Sequence, residues 1–121
     1  MPKKILVVDD DKDMVRLVEL ALGTDRRYEL LVATDGELAL DLARREKPDL
    51  ILLDVLIPKI NGFTVCRELK RDPITVLTKV VMLSALGEEA VALIAQQAGA
   101  DEYVAKPFCP STMVETIEKL L

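Results

Sequence analysis

Residues 50–54 read Leu-Ile-Leu-Leu-Asp, and residues 5–11 read Ile-Leu-Val-Val-Asp-Asp-Asp. In each stretch, four consecutive apolar residues end in a carboxylate. A run that is apolar at every position is typical of a strand that is covered on both faces, as in a parallel sheet. The carboxyl ends of parallel strands lie on one edge of the sheet. We therefore expect the carboxylates of Asp9, Asp10 and Asp54 to meet in one crevice.

These carboxylates predict a cation site. Carboxylates that lie close together repel and shift each other's pKa unless a cation sits among them. The chain contains no His, and a set of hard oxygen ligands suits Mg²⁺ best. The alternative is that the aspartates are turn residues or helix N-caps at strand ends. Asp11 in particular is expected to begin the following helix in an exposed position rather than to act as a further ligand.

Composition limits the classes of protein to consider. A chain of 121 residues has room for one domain, expected to span residues 1–121. The net charge of −5 argues against direct binding to nucleic acid, which needs a basic surface. No apolar stretch approaches the roughly 20 residues of a membrane span, and the N-terminus lacks the apolar core of a secretion signal. We therefore expect a cytoplasmic domain without membrane contact, in which Cys66 and Cys109 are reduced thiols.

Strand-like and helix-like segments alternate five times along the chain. The predicted strands are Ile5–Val8, Tyr28–Ala33, Leu50–Leu53, Val80–Leu83 and Glu102–Val104, and the predicted helices are Lys12–Leu22, Gly36–Arg45, Gly62–Arg71, Glu88–Ala98 and Ser111–Leu121. This (βα)₅ alternation predicts an α/β fold, a doubly wound five-stranded parallel sheet in a flavodoxin-like three-layer sandwich. The strand order 2-1-3-4-5 is adopted from known sheets of this kind and places the crevice between strands 1 and 3.

A hydroxyl and an ammonium follow the last two predicted strands. Ser84 ends the fourth strand, and Lys106-Pro107 follows the fifth. Together with the carboxylates, these groups are what phosphoryl transfer to an aspartate requires, with Asp54 as the nucleophile. Plainer interpretations remain open at this point: Ser84 as a turn residue, Lys106 as a solvated lysine, and Tyr103 as a core packing residue.

Four segments, taken together and in order, closely resemble the receiver domain of bacterial two-component response regulators. The resemblance covers essentially all 121 residues, and the matching segments are Val7–Asp10, Leu53–Gly62, Met82–Ala85 and Gly99–Phe108. It implies a phosphorylation-controlled signalling module that accepts a phosphoryl group on Asp54 from a histidine kinase or a phosphotransfer protein. It also implies that a partner-binding surface, for a downstream effector or an output domain, switches in response.

The resemblance also implies roles for the other residues of the crevice. Mg²⁺ would be bound directly by Asp10, Asp54 and the carbonyl of Leu56, and through water by Asp9. Ser84 and Lys106 would contact the phosphoryl oxygens, and Tyr103 would be the switch aromatic that responds together with Ser84. The peptide bond before Pro107 would be cis, which turns the chain after the last strand and points the lysine into the crevice.

Two other functional classes are weaker alternatives. A phosphatase of the haloacid-dehalogenase type also uses a nucleophilic aspartate and Mg²⁺, but it needs an acid two residues after the nucleophile, where this chain has Leu56. A degenerate receiver that acts only as a scaffold would not need the complete acidic and basic set. We therefore expect a signalling receiver rather than an enzyme, catalysing only its own phosphoryl transfer and slow dephosphorylation.

The fourth predicted helix indicates a contact surface. Between Ala90 and Ala98 its only polar side chains are Gln96 and Gln97, whereas a helix covered on one side normally carries a charged outer stripe. One interpretation is that small alanines tolerate solvent. The other is a hydrophobic interface for a partner or for a phosphorylation-dependent dimer through helix 4. The basic residues on which winged-helix regulators depend for dimerisation are absent from this helix, so that dimer mode is not expected.

Overall fold

The structure is a computed structural model that describes residues 2–84, 88–106 and 109–121. The strands are β1 Lys3–Val8, β2 Tyr28–Ala33, β3 Leu50–Asp54, β4 Lys79–Ser84 and β5 Glu102–Ala105, and the helices are α1 Lys12–Leu22, α2 Gly36–Glu46, α3 Gly62–Arg71, α4 Glu88–Ala98 and α5 Pro110–Leu120. Every predicted element is present. The largest difference in a boundary is at β1, which begins at Lys3 rather than at Ile5.

The five strands form one parallel sheet in the order β2-β1-β3-β4-β5, which confirms the predicted topology. Leu50 and Leu52 of β3 pack with α1 and α5, whereas Ile51 and Leu53 pack with α2, α3 and α4. All four side chains are fully buried because helices cover both faces of the sheet. This explains why the strand is apolar at every position instead of alternating.

The first three helices, α1, α2 and α3, each begin after a polar N-cap residue whose side chain accepts a backbone hydrogen bond. The side chain of Asp11 accepts a hydrogen bond from the Asp13 N–H, that of Asp35 from the Leu38 N–H, and that of Asn61 from the Thr64 N–H. Each cap satisfies one of the N–H groups that a helix start leaves unpaired. Asp11 is exposed, as the sequence predicted for a residue that starts a helix.

Both cysteines are free thiols, as the sequence predicted. Cys66 is buried in α3, and Cys109 is exposed before α5. That last helix starts at Pro110, in the first helical position, and its preceding residue makes no side-chain cap hydrogen bond. Proline is well accommodated there because the position has no intrahelical partner for an N–H group.

Gly62 allows the loop after β3 to return onto the strand. Its N–H donates to the Val55 carbonyl at 2.8 Å. A Cβ atom at this position would lie 2.7 Å from the Val55 Cα and would also clash with the Asp54 carbonyl oxygen. Because the obstructing atoms belong to the backbone, they cannot give way as a flexible side chain would.

We therefore expect Gly62→Ala to lower the free energy of unfolding by about 2 kcal/mol or more, the usual cost of overpacking a rigid site. Urea unfolding followed by circular dichroism measures this effect. Arg67→Ala on the exposed side of α3 is the matched control and should change the free energy by less than about 0.5 kcal/mol. Equal urea midpoints for the wild type and Gly62→Ala would contradict the close packing described here.

Candidate functional site

The crevice lies at the carboxyl ends of β1 and β3, where the sequence placed it. Val8 pairs with Leu53 in the sheet, so Asp9 and Asp54 follow on adjacent strands. Carboxylate oxygens of Asp9, Asp10 and Asp54 all lie within 4.8 Å of one another. Asp9 is fully buried, Asp54 is 7% exposed, and Asp10 is exposed. The structure thus brings together the three carboxylates that the sequence singled out.

Lys106 points into the same crevice. Its Nζ lies 3.1 Å from Asp9 Oδ2 and 3.3 Å from Asp54 Oδ2, and its side chain is only 16% exposed. The Lys106 N–H donates to the Ser84 carbonyl at 2.7 Å, which fixes the backbone from which the side chain extends. The interpretation of Lys106 as a freely solvated lysine is therefore wrong.

The pKa values of Lys106 and Asp54 are shifted for different reasons. Burial favours the neutral amine of Lys106, but attraction from Asp54 and Asp9 outweighs it and raises the pKa of the lysine. For Asp54, burial and then repulsion from Asp9 raise the pKa to about 6, against a smaller opposing effect of Lys106. The two pKa values are affected differently because Lys106 faces two carboxylates, whereas Asp54 has only the one ammonium of Lys106 and must share it with Asp9.

The carboxylates differ in how much of their hydrogen-bonding capacity the protein already uses. Asp9 accepts from the Asp11 N–H at 3.0 Å through Oδ1 and from Lys106 through Oδ2. Asp54 accepts through Oδ1 from the Leu56 N–H at a long 3.4 Å. Asp10 is exposed to solvent at the rim of the crevice. Asp54 Oδ2 also faces Lys106 at 3.3 Å, so the oxygens most open to a further partner are Asp54 Oδ1 and those of the exposed Asp10 carboxylate.

The donor set fits a hard divalent cation. All the side-chain ligand atoms are carboxylate oxygens. In the described part of the chain, the ion pairs of Asp9 and Asp54 are those with Lys106, so three carboxyl groups face one ammonium. A cation such as Mg²⁺, with its preference for oxygen ligands, matches both the atoms and the charge.

The remaining predicted residues lie on the neighbouring strands. Ser84 is buried at the end of β4 and pairs with Ala105 of β5, one residue before Lys106. Tyr103 in β5 is partly buried and packs on the side of the sheet that carries α4. Leu56 is 63% exposed just past Asp54. Ser84 therefore lies at the same edge of the sheet as the carboxylates, whereas Tyr103 lies nearer the amino end of β5 and packs towards α4.

The predicted cis bond before Pro107 lies outside the described residues and stays a prediction. A further contact was not predicted from the sequence. Gly36, at the start of α2, touches the loop between β3 and α3 at Pro58 and Ile60. Spacing in the sequence gave no indication of this contact, because the partners are more than 20 residues apart and meet only through the loop's conformation.

Within residues 2–84, 88–106 and 109–121, no helix is long and apolar enough to cross a bilayer.

Comparison with known protein families identifies the same type of domain as the sequence segments indicated. The family model described as "Response regulator receiver domain" matches residues 5–118. The alkaline phosphatase synthesis transcriptional regulatory protein PhoP of Bacillus subtilis is 40% identical over 121 residues, which are 100% of this chain and 49% of that protein. The response regulator PleD of Caulobacter vibrioides is 46% identical over 107 residues, 88% of this chain and 23% of PleD. The chain spans about half or less of the length of these relatives.

Solved structures show the same similarity. The chemotaxis response regulator CheY4 of Vibrio cholerae superposes with a TM-score of 0.91 at 29% identity, over 100% of both chains. The BeF₃-activated receiver domain of DrrB, from Thermotoga maritima, superposes with a TM-score of 0.88 at 32% identity, over 99% of this chain and 97% of that one.

Proposed function

Because this chain belongs to the family of response regulator receiver domains, the signalling modules of two-component systems, we propose that Asp54 is its phosphoryl acceptor. The observation that carries the proposal is the convergence of Asp9, Asp10 and Asp54 with the ammonium of Lys106 at one sheet edge. Among the carboxylates, Asp54 ends the central strand β3 and combines a nearly buried position with an oxygen that only a long hydrogen bond engages.

The reaction needs a nucleophilic carboxylate and compensation for phosphoryl charge. One oxygen of Asp54 forms a bond to the phosphorus of a phosphohistidine, the phosphorus–nitrogen bond breaks, and the histidine leaves with that electron pair. With a pKa of about 6, Asp54 is mostly ionised at neutral pH and is available as the nucleophile. Lys106, held between Asp9 and Asp54, lies where it would offset charge on the phosphoryl oxygens.

The residues that would hold Mg²⁺ are those that the resemblance to receiver domains implies, and the hydrogen bonds of Asp9 support its separate role. Asp10, Asp54 and the main-chain carbonyl of Leu56 would be direct ligands. Asp9, whose two oxygens already accept from Asp11 and Lys106, would act through a water molecule. Bound Mg²⁺ would supply positive charge that lowers the repulsion between the carboxylates and the incoming phosphoryl group.

Ser84 and Tyr103 would report the phosphorylation to the surface. The Ser84 hydroxyl, buried at the neighbouring strand end, would donate to a phosphoryl oxygen. A shift of this residue would be transmitted to the end of β5, because the Ser84 carbonyl accepts a hydrogen bond from the Lys106 N–H. Tyr103, which is partly buried beside α4, would change its position in response.

The partners follow from the family and from the surface of α4. The phosphoryl donor would be a histidine kinase or a phosphotransfer protein, and the phosphorylated domain would bind an effector or output domain. Leu93 of α4 is 57% exposed, and Ile94 beside it is partly buried. An exposed leucine on the helix towards which Tyr103 packs supports an apolar interface that phosphorylation controls.

Incubation with acetyl phosphate and Mg²⁺, followed by intact-mass measurement, tests the proposed function. The expected result is one phosphoryl adduct per chain. Continuous release of inorganic phosphate without an accumulating adduct would support a hydrolase instead. Absence of any adduct or release would leave a scaffold with a receiver fold.

The α4 surface predicts a change in mass upon activation. With Mg²⁺ and beryllofluoride, a mimic of the phosphoryl group, we expect light scattering to give about twice the mass of the monomer, as in a two-fold symmetric dimer. Leu93→Asp should keep the protein monomeric, because a charge in an apolar interface is costly to bury. Leu20→Asp, at an exposed leucine of α1, is the control and should still dimerise. A wild-type monomer in both states would exclude this dimer.

A further inference from the structure

We propose that Gly36, at the start of α2, is a positioning residue for the Mg²⁺ and phosphoryl site, a role that rests on the proposed function of Asp54. Gly36 lies in a different helix from the residues of the crevice. It reaches the site through the β3–α3 loop, residues 55–61, which carries the Leu56 carbonyl. The proposal is that the absence of a side chain at position 36 sets the position of this loop.

Gly36 and the loop are in direct backbone contact. The Gly36 N–H donates to the Pro58 carbonyl at 3.2 Å. A Cβ atom at position 36 would lie 2.7 Å from the Ile60 Cβ and 3.1 Å from the Ile60 carbonyl carbon, and it would clash with the carbonyl oxygen of the same residue. Any side chain on Gly36, which is buried, would therefore have to displace the loop or the start of α2.

The loop has little freedom to absorb such a displacement away from the site. At its beginning, the Val55 N–H donates to the Leu83 carbonyl of β4 at 3.0 Å. At its end, the Gly62 N–H donates back to the Val55 carbonyl at 2.8 Å, and the Ile60 N–H donates to Pro58 at 2.8 Å. With both ends tied, movement of residues 58–60 has to be shared by the short segment that includes Leu56. The Leu56 N–H is itself bonded to Asp54 Oδ1.

Lys59 adds an electrostatic link that is secondary to the backbone contact. It has a left-handed backbone with φ of 69°. Its Nζ lies 3.5 Å from Glu37 Oε2 and 3.8 Å from Asp35 Oδ2, both at the start of α2. The lysine is more than half exposed, and exposed ion pairs of this kind contribute little. The steric contact of Gly36 therefore decides the loop's position, and Lys59 favours the same arrangement.

Titration of the metal-free protein with Mg²⁺ in a calorimeter tests the proposal. For Gly36→Ala we expect affinity for Mg²⁺ to fall by about tenfold, the scale seen when residues that orient metal ligands are replaced. Gly99→Ala is the matched control. Gly99 has a φ of 87° and precedes the amino end of β5, whereas the crevice lies at the carboxyl ends of the strands. This variant should lose stability through backbone strain while keeping the affinity of the wild type. A merely structural role of Gly36 would make the two variants alike.

Amide resonances of the wild-type protein provide a second measurement that needs no variant. Mg²⁺ should shift the Gly36 amide resonance and slow its hydrogen exchange, because the Gly36 N–H is bonded to the loop, and it should leave Gly99 unchanged. If the wild type binds no Mg²⁺, the proposed function of the crevice is overturned. If the wild type binds Mg²⁺ but Gly36→Ala binds it equally well, only the role of Gly36 is overturned. If Gly36→Ala does not fold, an unchanged Gly36 amide overturns the role instead.

Discussion

Asp54→Asn is expected to abolish the acetyl phosphate adduct, lowering its rate of formation by more than about a thousandfold, as loss of a nucleophile does in enzymes. An amide nitrogen or oxygen cannot replace the carboxylate as the attacking group. Asp9 cannot readily substitute, because it is fully buried and its oxygens are held more tightly, at 3.0 Å from the Asp11 N–H and 3.1 Å from Lys106 Nζ. Intact-mass measurement after incubation with acetyl phosphate and Mg²⁺ provides the readout.

The same variant should be more stable than the wild type in metal-free buffer at pH 7.5. Burial and Asp9 raise the pKa of Asp54 from the ordinary 3.8 to about 6, so the ionised side chain opposes folding above that pH. A neutral asparagine removes this effect, which amounts to at most about 3 kcal/mol. Asp41→Asn, at an exposed carboxylate of α2, should change neither phosphorylation nor stability appreciably. Phosphorylation of Asp54→Asn at the wild-type rate would refute the assignment.

The architecture of the site could be predicted because it depends on strand ends. Apolar runs that end in Asp9 and Asp54 indicated two buried parallel strands, and parallel strands bring their carboxyl ends to one edge. The meeting of the three carboxylates therefore followed from secondary structure and strand order alone. The order itself came from known folds, since no residue in the chain specifies which strands are neighbours.

Features that depend on side-chain conformation could not be predicted. The sequence placed Lys106 in the crevice, but it did not indicate how closely the ammonium would approach both Asp9 and Asp54, or that Asp54 would be the carboxylate with a raised pKa. The contact between Gly36 and Ile60 depends on how one loop folds over a helix start. Similarly, the composition of α4 suggested an apolar surface, but only the packing shows that Leu93 is exposed.

Mg²⁺ is expected to stabilise the folded protein at pH 7.5 by about 2–3 kcal/mol when its free concentration is about 100 times the dissociation constant. Thermal unfolding with and without Mg²⁺ measures this effect. In metal-free buffer the free energy of unfolding should fall as the pH rises from about 4 to about 6, because the folded protein binds a proton on Asp54 more tightly than the unfolded chain does. Above that range the carboxylate is ionised and repels Asp9, and a divalent cation relieves the repulsion.

The stabilisation by Mg²⁺ should therefore become smaller at pH 5, where protons compete with the cation for Asp54. Asp10→Ala should eliminate most of the response at pH 7.5, since it removes the exposed carboxylate that completes the oxygen set. Asp13→Ala, at an exposed acid in the first turn of α1, is the matched control and should respond as the wild type does. A full response of Asp10→Ala to Mg²⁺ would place the cation elsewhere. A response that is equal at pH 5 and pH 7.5 would show that the cation does not compete with the proton on Asp54.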